Sequence, residues 1–65
     1  MYSNIKAEMA RANITQAYLA KLLGRSPHTV HCYLYGKTPI PAGVLVKMSE
    51  IFGKSTDYLL GISSE

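Results

Sequence analysis

Asn13, Gly24, Gly36, Gly53 and Gly61 cut this 65-residue chain into short segments, and four of those segments open on Ser or Thr: Ser3, Thr15, Ser26 and Ser55. A Ser or Thr side chain satisfies free N–H groups where a helix starts, and Asn or Gly takes the left-handed conformation that closes one. The remaining segment follows the Pro-containing loop "KTPIP". This spacing predicts five short helices, four of them capped at Ser3, Thr15, Ser26 and Ser55. In the third, Pro27 follows the cap at the first helical position, where its missing N–H costs nothing.

Apolar residues recur at helical spacing inside these segments. Ile5 and Met9 share a face of the first helix, Leu19, Leu22 and Leu23 of the second, and Val44, Leu45, Met48, Ile51 and Phe52 of the fourth. The last segment carries Tyr58, Leu59 and Leu60. A chain below about 70 to 80 residues has a small core. The expectation is therefore an all-α, compact five-helix domain spanning residues 1–65 that packs efficiently or self-associates.

The single Cys32 has no partner for an intramolecular disulfide, which fits a reducing compartment and a cytoplasmic protein. The longest aliphatic run is "VLV" at 44–46, and the opening "MYSNIKAEMA" carries charge inside any apolar stretch, so neither a membrane span nor a targeting segment is expected. The formal charge is +3, and its placement says more than its size. No acidic residue lies between Glu8 and Glu50, whereas Arg11, Lys21, Arg25, Lys37 and Lys47 all do, with both His residues. Such segregation gives part of the molecule a positive field suited to a polyanion.

At about 100° per residue, Val30, Tyr33 and Leu34 gather on one side of the third helix, and His28, His31, Cys32 and Tyr35 fall on the other. The apolar side docks. Two imidazoles, a thiol and a phenol then look outward, a hydrogen-bonding surface unlike the Lys/Glu mixture of a solvated face. The link "LLGRSP" leaves only a tight turn between the second and third helices, with small Ala20 facing branched Val30 where the two must approach. Gln16, Ala20, Gly24, Val30 and Tyr33 stand at the spacings of a helix-turn-helix.

The stretches "ITQAYLAKLLGRSPHTVHCYLYGK" and "VLVKMSEIFGKSTDYLLG" resemble the phage-repressor and Cro-like helix-turn-helix family of bacterial and phage transcriptional regulators, from about Ile5 to Gly61. The resemblance rests on Thr15-Gln16, Ala20, Leu23-Gly24, Val30, Gly36-Lys37 and "STDYLLG". It implies sequence-specific binding of double-stranded DNA by a transcriptional regulator, a repressor, with the third helix in the major groove and a homodimer on a pseudo-palindromic operator. It further implies base contacts from Pro27, His28, Thr29 and Cys32. Gln16, Arg25, His31, Tyr35 and Lys37 correspond to backbone contacts, and Tyr58, Leu59, Leu60 and Ile62 to the dimer surface. Three residues depart from the family pattern. Pro27 offers only apolar contact, Tyr35 replaces a common Asn, and Met9 replaces a common Arg.

His28 and Cys32, four apart on one face, supply two donors, but structural zinc wants about four and the chain has no second pair, so no metal site or cofactor is expected. A Cys–His catalytic pair would lack both a pocket and a third group to orient the imidazole, so no catalytic residue and no enzyme activity is expected, and no small-molecule substrate. The rival reading keeps the helix-turn-helix scaffold as a protein-interaction module that does not bind DNA, with the third-helix face as the partner surface.

Overall fold

The computed structural model describes residues 2–62. Helices α1 (Ser3–Ala12), α2 (Gln16–Leu23), α3 (Pro27–Leu34), α4 (Ala42–Phe52) and α5 (Thr56–Leu60) follow one another with no strand among the described residues. The fold is all-α. Its radius of gyration is 10.5 Å, against about 10.7 Å for a compact chain of this length. No helix among the described residues is long and apolar enough to cross a membrane.

Local chemistry sets the helix ends. Thr15, Ser26 and Ser55 each accept the backbone N–H three residues on, from Tyr18, Thr29 and Tyr58, at 3.1 Å. Helix α2 closes through paired bonds, Gly24 N–H to Lys21 O and Arg25 N–H to Ala20 O, the geometry in which a left-handed residue satisfies the last carbonyls. Gly24 has φ 69°, which a side chain would strain. The same pairing recurs after α3, where Lys37 N–H reaches Cys32 O at 2.9 Å.

Two expectations are corrected. Ser3 is not a cap: α1 already includes it, Tyr2 stands before it with φ 53°, and no side chain caps the helix. Tyr2 is partly buried against the core and its carbonyl accepts from Lys6 N–H, so helical bonding starts one residue earlier. Leu22 does not join the core and is 37% exposed. The buried strip of α2 is Leu19, Ala20 and Leu23: on the helix that packs most against α3, the inner face runs through Ala20 and leaves Leu22 at its edge.

Ile5, Met9, Leu19, Leu23, Val30, Leu34, Val44, Met48 and Leu59 form one core drawn from all five helices, with Tyr33 and Ala20 beside them. Leu45, anticipated on the inner face of α4, is half-buried, and Ile51 and Phe52 line the core's edge. Buried Glu8 is the exception among apolar neighbours. It accepts the Tyr58 hydroxyl proton at 2.9 Å and lies 3.8 Å from Arg11.

Candidate nucleic-acid interface

Helices α2 and α3 pack against each other more extensively than any other pair, across a turn of Gly24, Arg25 and Ser26. Ala20 (1% exposed) on α2 and Val30 (0%) on α3 are both buried in the core, which leaves no room for a larger side chain at 20 without a shift of its neighbours. The turn is braced at its far end. Gln16 Nε2 donates to Pro27 O at 3.4 Å, linking the first residue of α2 to the first of α3. Ser26 adds a hydroxyl contact to Thr29 Oγ1 at 2.8 Å on top of its capping bond. Gln16 thus ties the start of α2 to the start of α3, and Ser26 caps α3 where the turn ends.

With Val30, Tyr33 and Leu34 committed to the core, α3 turns its other side outward. Pro27 and His28 are exposed, Thr29, His31 and Cys32 half-buried, and Tyr35 exposed just beyond the last turn. His28 Nε2 lies 3.7 Å from Cys32 Sγ. The His31 and Tyr35 rings stack at 4.5 Å between centroids with 36° between their planes. These four side chains, grouped by periodicity alone in the sequence, do share one face.

Cations and free N–H groups flank that face. Arg25 is exposed in the turn, its Nη1 directed to Gly24 O at 3.4 Å, and Lys37 is exposed where the paired bonds after α3 fix its backbone. Neither enters an ion pair among the described residues. At the start of α2, Tyr18 N–H is taken by Thr15 Oγ1 and Leu19 N–H by Thr15 O, leaving the Gln16 and Ala17 N–H groups without helical acceptors. Those two donors and the positive helix end suit an anion. Gln16 can serve both purposes, since an amide NH₂ carries two protons and Pro27 O uses one.

Lys6 was not anticipated. Its ammonium stands 3.9 Å from the Tyr35 ring centroid, bringing a cation from α1 to the end of α3. The contact joins residues far apart in sequence, and no periodicity marks it. Among the described residues no three His, Cys, Asp or Glu side chains are arranged to hold a metal ion.

The residues assigned to a dimer surface divide. Leu59 is fully buried in the core and has no surface to offer, which removes it from that set. Tyr58 is half-buried and tied to Glu8, Leu60 is half-buried, and Ile62 is 72% exposed.

A family model for the helix-turn-helix matches residues 5–59. The chain belongs to the Cro/repressor-like helix-turn-helix family, a family of DNA-binding regulators. A comparison with curated proteins finds no match to this chain.

Proposed function

We propose that this chain is a cytoplasmic, non-enzymatic transcriptional repressor that binds double-stranded DNA sequence-specifically by laying α3 in the major groove. The observation that carries the reading is the closely packed α2–α3 pair, whose outward face bears His28, His31, Cys32 and Tyr35, with exposed Arg25 before it and Lys37 after it in no ion pair among the described residues. Pro27, His28, Thr29 and Cys32 meet base edges, Pro27 through apolar contact such as a thymine methyl and His28 through its ring nitrogens. Gln16, Arg25, His31, Tyr35 and Lys37 take the phosphates, with the free N–H groups of α2 beside Gln16. Residues 1–65 act as a single domain. Two copies associate through Leu60 and Ile62, placing their α3 helices about one DNA turn, roughly 34 Å, apart on a pseudo-palindromic operator.

Selection of bound duplexes from a random pool tests this. Enrichment of a two-fold related site, with binding that weakens steeply as salt rises, is the expected result. Indifference to duplex DNA at every salt concentration overturns it and favours the scaffold as a protein-interaction module.

A further inference from the structure

Lys6 lies outside the α2–α3 pair, yet its side chain ends on that pair's outward edge. The ammonium sits 3.9 Å from the Tyr35 centroid, well inside the range over which a ring face attracts a cation. Tyr35 is itself steadied by His31, whose ring stacks on it from one turn back. The three side chains form a run from α3 to α1: imidazole, phenol, ammonium. Tyr35 stands at the C-terminal cap of α3, two positions before Lys37, and Lys37 is fixed by its N–H bond to Cys32 O. A cation from α1 therefore reaches the C-terminal end of α3, and Lys37 follows that end two residues on in the chain.

Holding a lysine on a ring has a cost and a use. A free lysine loses rotamer entropy when it is fixed on a partner. A lysine already resting on a ring has surrendered part of that before any ligand arrives. No carboxylate among the described residues pairs with Lys6, so none of them neutralises its charge.

We propose that Lys6 is a DNA-backbone contact contributed by α1, and that Tyr35 positions it through its ring. The inference rests on the DNA-binding reading above and extends it. The footprint is then wider than the helix-turn-helix: α1 grips a phosphate beside the one held by Lys37. Tyr35 gains a second role distinct from any contact of its hydroxyl, because the face of the ring supports Lys6 while the oxygen is free to donate.

The test is the slope of log K against log salt, measured with the full chain on one duplex. Each phosphate neutralised contributes about 0.9 to that slope on B-DNA. Lys6→Met keeps a good helix former and removes the charge, and its slope should be shallower by about that amount. Lys6→Arg should restore the slope. Tyr35→Leu should flatten it partway, and the Lys6→Met/Tyr35→Leu double variant should be no shallower than Lys6→Met alone. Tyr35→Phe separates ring from hydroxyl: it should keep the native slope even where affinity drops, since a neutral hydroxyl releases no counterion. Circular dichroism confirms that each variant is folded. A folded Lys6→Met with the native slope overturns the inference while leaving the DNA reading intact, and the same holds if Lys6→Met lowers only the melting temperature. A native chain with no salt-dependent DNA binding overturns both.

Discussion

The Tyr58 hydroxyl donates to Glu8 Oε2 across 2.9 Å, fastening α5 to α1. Asn4 strengthens the same seam, its Nδ2 donating to Tyr58 O at 2.7 Å. Glu8 is 4% exposed, and a carboxylate so buried needs partners. Tyr58 provides the nearer one, Arg11 the farther.

That bond has a signature in alkali. Hydrogen bonding to Glu8, with lesser effects of burial and of the Glu8 charge, holds the Tyr58 hydroxyl above its ordinary titration, against a small opposing effect of Arg11. The folded state therefore favours the neutral phenol. Its stabilising contribution is complete below the ordinary tyrosine range near pH 10 and is lost as pH rises through the higher folded value. Tyr58→Phe should melt several degrees below the native chain at pH 7. The gap should hold to about pH 9 and narrow above pH 10. A gap that is constant through pH 11 would exclude this role.

Leu59 and Ile62, three residues apart near the same end of the chain, should behave as opposites. Leu59→Ala empties a fully buried position and should cost about 2 to 5 kcal/mol. A domain of this size has only about 3 to 10 kcal/mol in total, so much of the protein should be unfolded in a urea titration. Ile62→Asp lies on the surface and should leave the urea midpoint within the error of the native value.

Association gives those residues a second test. If Leu60 and Ile62 form the dimer contact, sedimentation of the native chain on DNA at limiting protein should show two copies per occupied operator, and Ile62→Asp should reduce this to one copy per occupied operator. A native chain that stays monomeric with and without DNA removes the dimer.

Much of this fold could be read from local signals. The caps at Thr15, Ser26 and Ser55 and the left-handed stops at Asn13 and Gly24 depend on side chains a few residues apart, and sequence displays such spacing directly. The outward set of His28, His31, Cys32 and Tyr35 followed from one helical period. Leu22 was misplaced because periodicity names an apolar face without saying which edge the neighbouring helix covers, and α3 covered Ala20. Ser3 failed because packing of Tyr2 overrode its capping preference. Lys6 on Tyr35 and Glu8 with Tyr58 were invisible, since each joins elements whose adjacency appears only when the chain is folded.

Lys37 should act on all DNA alike. Lys37→Ala should lower affinity for every duplex by a similar factor, reduce the salt slope by about 0.9, and leave the preferred sequence unchanged. A shift in sequence preference would move Lys37 from the backbone to a base.

Base reading by the outward face of α3 turns on His28. It is exposed, one residue into the helix, and outside the core, so its replacement should not disturb folding. Affinities of native chain and His28→Ala are compared on the site enriched from a random pool and on unrelated duplex. The expected result is a loss of about 1 to 3 kcal/mol on the selected site, little change on unrelated DNA, and relaxed selectivity at one position of each half-site. A His28→Ala protein that keeps the native preference, or loses both kinds of binding equally, would contradict it.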